Sequence, residues 1–162
     1  MSTELKDSVI VHGFFNDNFF DNLKKSSKVN VIVLEGRPSL KSGRESSANL
    51  QKRGIVPTVI ADNMAGYLFF KNAVKEVWLS GQAVDKNGAM CEIGSLVLAV
   101  LAKKHSVPVF VALTDKSQAF GRQAFGKPAD LQKFNGQNVI SGKIKAFVPL
   151  IEWVPAKYLG KS

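Results

Sequence analysis

The sequence predicts an α/β fold: a mostly parallel β-sheet covered by helices on both faces. Three observations carry this. Short, mostly uninterrupted apolar runs recur along the first 113 residues, as strands buried on both faces do. Stretches with helical periodicity separate those runs, so the strands are joined by crossovers rather than tight hairpins. The chain has 162 residues, 45% of them hydrophobic, enough for one domain with a real core.

Each element has its own signal. Ser8–His12 (SVIVH) reads as a buried strand. Asn16–Ser26 reads as a helix, with Asn16 suited to the N-cap because a short side-chain oxygen can accept from the first free N–H groups. Val29–Glu35 is the next strand and Arg44–Arg53 the next helix, closed by Gly54. Thr58–Ala61 is a short strand with Pro57 at its start, where a missing N–H costs little. Met64–Asn72 is an apolar helix and Val77–Ser80 a strand. Ile93–His105 is a helix with Ile93, Leu96, Val97, Val100 and Leu101 on its apolar face. Val107–Leu113 completes five strands, and Ile144–Trp153 adds a final one. Residues 116–143 read as an irregular insertion or loop within a single 1–162 domain. That segment opens on a near-tandem repeat, QAFGRQAFGK, either an aromatic–basic arm or a loop covering a sheet edge.

Ligands of parallel sheets sit at the carboxyl ends of the strands, so the loops after His12, Glu35, Ala61 and Ser80 matter most. The second of these, LEGRPSLKSGRESSANL (Leu34 to Leu50), holds Arg37, Lys41 and Arg44 within a few residues. Arg37 suits a bidentate phosphate contact. Gly36 and Gly43 permit close backbone approach. Ser42 is placed to cap the following helix, whose N–H groups favour an anion. The loop is either a phosphate site or a solvated turn.

The usual cofactor signatures are missing. No GxGxxG follows the first strand and no GxxxxGK[ST] occurs, so no cofactor is expected. His12 and His105 are the only histidines and Cys91 the only cysteine, without carboxylates at ligand spacing, so no metal is expected. Cys91 fits a buried packing role or, with a histidine, a nucleophile pair. His12, at a strand's carboxyl end, is either a site residue or a polar residue with a structural hydrogen bond. One cysteine, a polar start and no long apolar run give the expectation of a cytoplasmic protein without a signal peptide or membrane contact. The net charge of +9 is uneven: residues 1–102 hold 12 Lys/Arg against 10 Asp/Glu, and residues 103–162 hold 10 against 3. The basic end suits nucleic acid or an acidic partner, or is a lysine-rich solvated surface.

Several linked stretches resemble one family. VIVHG at 9–13, LEGRPSLKSGRESSANL at 34–50, VPTVIADNMAGYLF at 56–69, SGQAVDKNG at 80–88 and EIGSLVLAVLAKKHSVPVFV at 92–111 follow its order and spacing, with VPLIEWVP at 148–155 like its closing segment. The family is the C-terminal domain shared by the alpha, beta and delta subunits of translation initiation factor 2B and the methylthioribose-phosphate and ribose-bisphosphate isomerases. The resemblance implies a Rossmann-like three-layer α/β/α domain, a phosphosugar or nucleotide pocket at the strand ends, and dimerisation through this domain. It places His12, Gly13, Arg37, Lys41, Arg44, Asp62, Gln82, Cys91 and Glu92 at that pocket.

The departures bear on activity. The isomerases carry a catalytic cysteine where this chain has Gly13, and a Gly-Ala-Asp with the catalytic acid where it has Ser80-Gly81-Gln82. Their Asn-Lys is Cys91-Glu92, a loop glutamine is Lys41, and their helical N-terminal domain exceeds what 162 residues can hold. Loss of the cysteine matches the factor 2B subunits, which nevertheless share the Asn-Lys, so this chain departs from both groups. Moving a proton between sugar carbons needs a positioned acid and base, and neither Gly13 nor Gln82 ionises. The expectation is a non-catalytic, initiation-factor-2B-like regulatory or assembly domain. It is a homodimer or family-type oligomer with a phosphorylated sugar or nucleotide as its ligand. The alternatives are an isomerase-like enzyme working through Asp62, Asp85 or Glu92, and a nucleic-acid-associated module acting through residues 116–161.

Overall fold

The computed structural model describes residues 5–25, 30–114, 124–142 and 144–160. Five parallel strands form its centre, in the order β3 (Thr58–Ile60), β2 (Val31–Leu34), β1 (Ser8–His12), β4 (Val74–Asp85) and β6 (Val109–Leu113). These are the five apolar runs of the sequence. Helices α1 (Asp17–Lys25) and α2 (Lys41–Lys52) pack on one face, over Val9, Val11, Val31 and Val33. Helices α3 (Ala65–Phe70) and α4 (Ser95–Lys104) cover the other, over Ile10, Ile32, Leu34, Val77 and Leu79. Alternate strand residues thus feed two separate cores, which is why the strands read as unbroken apolar runs. The result is the three-layer Rossmann-like arrangement.

One strand departs from the sequence reading. Val77–Ser80 is the middle of a 12-residue strand that runs straight on through Asp85 and turns back as β5 (Gly88–Glu92). No loop leaves the sheet after Ser80. Leu79 pairs with His12 on one edge and Val111 on the other, while Gly81 pairs with Cys91 and Leu113. So β5 takes over, beyond His12, the edge of β4 that β1 occupies below it. A last strand, β9 (Ile151–Pro155), lies antiparallel to β5. This geometry delivers Cys91 and Glu92 to the carboxyl end of β1.

Helix limits also shift. Asn16 caps α1 as its chemistry suggested, accepting from the Phe19 N–H at 3.0 Å. Helix α2 starts at Lys41, three residues before Arg44, and its N-cap is Leu40 in the left-handed region (φ 60°) with no side-chain cap. Ser42 therefore does not cap it. On α4 the core takes Leu98, Ala99 and Ala102, the small-residue side, and leaves Val97 and Val100 outward, against the expected apolar face. A helix apolar all round offers two sides, and the sheet accepts the one that lets backbones approach. The described part of 116–143 is not wholly irregular: it holds a short helix, α5 (Ala129–Gln132), and a two-residue hairpin, β7 (Lys133–Phe134) with β8 (Gln137–Asn138). The first copy of the QAFG repeat lies outside the described residues.

Candidate functional site

The ends of β1, β2 and β3 and the start of α2 meet at one point, with the end of β5 closing over it. Gly43 explains the closeness. A Cβ there would lie 2.5 Å from the Leu34 carbonyl oxygen and against that of Glu35. The backbone approach that the glycine permits is therefore α2 on the end of β2, not protein on ligand. Gly36, at φ +75°, lies against the Ser42 hydroxyl in the same way.

The polar groups of the loop engage one another. Asp62, at the end of β3, accepts from the N–H groups of Gly36 at 3.0 Å and Arg37 at 2.7 Å, so its carboxylate clamps two consecutive loop amides. Ser42 donates its hydroxyl proton to Oε1 of Glu92 at 2.9 Å. Ser46 ties α2 to the end of β1 by donating to the Gly13 carbonyl at 3.1 Å. The N-terminus of α4 is met likewise, the Leu96 N–H donating to Glu152 Oε1 at 2.9 Å. The first turns of α2 and α4 thus each meet a carboxylate of the chain itself, through the Ser42 hydroxyl and the Leu96 N–H.

Glu92 is the electrostatic centre. It is 3% exposed, and its Oε2 has no hydrogen-bond partner among the described residues. Its carboxyl is pushed up to about 7, chiefly by burial and further by the Asp62 charge, against the pull of His12 and the Ser42 hydroxyl. Glu35 is raised too, by burial and by Asp62 against the opposing pull of Arg37. His12 is buried, and its Nε2–H donates to the Ile93 carbonyl at 2.9 Å while Nδ1 has no partner among the described residues. Glu35, Asp62 and Glu92 thus share this corner with the Arg37 guanidinium. The guanidinium itself faces elsewhere: Arg37 lies over the Phe134 ring, 5.5 Å from its centroid.

Gly13 and Ser80 interlock. Gly13 has φ +110°, and a Cβ on it would overlap the Ser80 hydroxyl and approach Ser80 Cβ to 2.9 Å. The hydroxyl accepts from the Phe14 N–H at 2.9 Å. A side chain at 80 thus fills the space where a side chain at 13 would begin.

The structure brings His12, Gly13, Arg37, Asp62, Cys91 and Glu92 of the expected site residues to this corner, but not the others. Lys41 and Arg44 are exposed on α2, and Gln82 lies on β4 beyond Ser80. Asp85 stands at the exposed β4–β5 turn and accepts from the Asn87 N–H at 2.7 Å. Cys91 is fully buried, and burial first, then the charge of Glu152, pushes its thiol up to about 12, with Ser95 beside it pulling the other way. That is a packing residue rather than a nucleophile. Sequence reasoning missed the hydrogen bonds of Ser46 and Ser80 and gave Ser42 a capping role in place of its bond to Glu92; the glycines that follow Ser42 and Ser80 were the available signal. Among the described residues no group of three or more His, Cys, Asp or Glu is placed to hold a metal ion, and no helix is long and apolar enough to cross a membrane.

Comparison with known proteins finds similar sequences and similar folds. Methylthioribose-1-phosphate isomerase of Desulforudis audaxviator is 33% identical over 136 residues, covering 79% of this chain and 39% of that protein. The corresponding isomerase of Caldicellulosiruptor saccharolyticus is 29% identical over 153 residues, or 90% of this chain and 44% of its own length. The chain thus spans well under half of these curated relatives. Among solved structures, translation initiation factor eIF-2B subunit delta from A. fulgidus superposes with a TM-score of 0.78 at 20% identity, over 95% of this chain and 51% of that one. The 5-methylthioribose 1-phosphate isomerase from Pyrococcus horikoshii gives 0.76 at 20% identity, over 95% and 49%. The sequence profile of the initiation factor 2 subunit family matches residues 10–161, nearly the whole chain, and this protein belongs to that family.

Proposed function

We propose that this chain is a non-catalytic regulatory or assembly domain of the initiation-factor-2B type that associates with a second copy of itself. The carrying observation is the interlock at Gly13: the position that holds the cysteine in the isomerases it resembles has no side chain, and Ser80 fills the space that one needs. The donors that would greet a phosphorylated ligand are held by Asp62 and Glu92. For assembly, the support is α3–α4. These helices pack side by side; Tyr67 and Phe70 on α3, Met64 just before it, and Val97 and Val100 on α4 are exposed, the last two by 63% and 41%. Apolar surface of that kind marks an interaction site.

Sedimentation tests the association. The wild type is expected to sediment as a dimer, and Val97→Asp, which would bury an unpaired charge, to weaken it at least about 100-fold. A wild-type monomer sinks the association, and a dimer indifferent to Val97→Asp sinks this surface. A thermal panel of phosphorylated sugars and nucleotides is expected to be flat; a ligand at 100 times its dissociation constant would add about 2.7 kcal/mol, and a clear hit would overturn the closed-site reading.

One observation favours a second reading, altered sugar-phosphate chemistry. Glu92 is a buried acid pushed up to about 7 at the strand ends, where such groups serve as acids and bases. Turnover of ribose or methylthioribose phosphates, lost in Glu92→Gln, would establish it; no turnover in the wild type removes it.

A further inference from the structure

The segment between β6 and β9 carries a surface apart from the assembly face, and it borders the strand-end corner through Arg37. Among its described residues the phenylalanines stand outward: Phe125, Phe134 and Phe147 are 58%, 45% and 76% exposed. They form one continuous surface. Phe125 and Phe147 touch, ring centroids 5.5 Å apart, as the 125 and 149 backbones bridge. Phe147 borders a shallow cavity of about 220 Å³ shared with Arg37, Pro38 and Leu131, and Arg37 lies over the third ring, Phe134. Each ring also has a lysine within two residues: Lys127 after Phe125, Lys133 before Phe134, Lys145 before Phe147, all exposed. Residues 103–162 as a whole carry an excess of seven positive charges, 10 Lys/Arg against 3 Asp/Glu.

Exposed aromatic faces interleaved with cations are what a single-stranded polynucleotide needs. Bases stack on the rings, whatever their identity, and the cations follow the phosphates. A purely protein-facing surface has no use for a lysine beside every ring, since lysine is depleted in interface cores. From this interleaving we propose that Phe125, Phe134 and Phe147, with Arg37 and the adjacent lysines, form a sequence-tolerant binding surface for single-stranded RNA or DNA.

Fluorescence anisotropy of the full chain with a labelled oligouridylate tests it. Four cations on phosphates give a salt slope of about −2.8, so affinity is expected to fall about 50-fold between 50 and 200 mM salt. Phe134→Leu and Phe147→Leu keep apolar bulk and net charge but remove the stacking face, and each is expected to weaken binding about fivefold or more. Phe147→Tyr, which keeps the face, is expected to bind as wild type. Both rings are exposed, so an unchanged thermal midpoint verifies folding. No binding at 50 mM salt overturns the proposal. So does binding that the leucine variants leave intact, which would be charge attraction alone, and so does a flat salt response.

Discussion

Placing a side chain at position 13 is the sharpest probe of how the strand-end corner is built. Gly13→Ala adds one carbon, and that carbon overlaps the Ser80 hydroxyl and comes within 2.9 Å of its Cβ. Overpacking of this kind costs about 1–3 kcal/mol. The backbone at φ +110° adds about 1–3 kcal/mol for any residue with a Cβ, so the single variant should lose about 2–6 kcal/mol. Ser80→Gly loses the hydrogen bond from the Phe14 N–H, about 0.5–1.5 kcal/mol net, and about 0.5–1 kcal/mol of backbone entropy for a glycine in a strand. In the double variant the clash is gone and the backbone strain stays. Its destabilisation should therefore fall short of the sum of the singles by about 1–3 kcal/mol, the size found for residues in contact. Urea denaturation of the four proteins measures this, provided the m-values agree. Strict additivity would refute the interlock, and with it the observation on which the proposed non-catalytic role rests.

Three further outcomes follow from the same corner. Glu92, raised to about 7 in the fold from an ordinary 4.5, binds a proton more tightly folded than unfolded, so stability should fall as pH rises from about 4.5 to about 7 and level off above. The difference is on the order of 3 kcal/mol; Glu92→Gln should match wild type near pH 5 and exceed it at pH 8, and equal stabilities at pH 8 would show the carboxylate is not paying a burial penalty. Asp62→Ala releases the Gly36 and Arg37 amides and should cost at least about 1.5 kcal/mol, while Asp62→Asn, with one acceptor left, should cost less; chemical denaturation distinguishes them. Hydrogen exchange at those two amides should quicken in Asp62→Ala and stay slow in Glu92→Gln, since only the former removes their acceptor.

The fold was largely legible because its signals are local. Buried parallel strands advertise themselves as unbroken apolar runs, and Asn16 capped the helix that its side chain suits. The β4–β5 hairpin, turning at Lys86–Asn87, is hidden in the sequence because Val77–Ser80 already resembles a complete parallel strand. Helix α4 showed the limit of periodicity: with apolar residues on every side, the sequence does not say which side faces the sheet, and the choice fell to Ala99 and Ala102. In the site, residue identities were legible but their partners were not. Arg37 has the chemistry of a phosphate clamp, yet only the three-dimensional arrangement reveals a phenylalanine nearly a hundred residues away beneath it. The same holds for Asp62, a candidate acid whose carboxylate holds two amides.

The altered positions make better sense in pairs than singly. Gly13 is tolerated because Ser80 supplies the missing volume. The negative charge of Glu92 is tolerable because Ser42 at the first turn of α2 gives it a hydrogen bond and His12 lies close enough to favour its charge. Changing one member of either pair leaves a clash or an uncompensated group, so single substitutions at Gly13 or at Ser42 should destabilise. A phosphate entering the corner would face Glu35, Asp62 and Glu92 and find the Gly36 and Arg37 amides occupied. Binding there would require breaking the two Asp62 hydrogen bonds, each worth about 1.5–3 kcal/mol when the acceptor is charged. That opposes a ligand by roughly as much as a good phosphate contact gives back. The loop between β2 and α2 therefore acts as an internal brace: the same donors that suit an anion join three strands to a helix through the chain's own carboxylates.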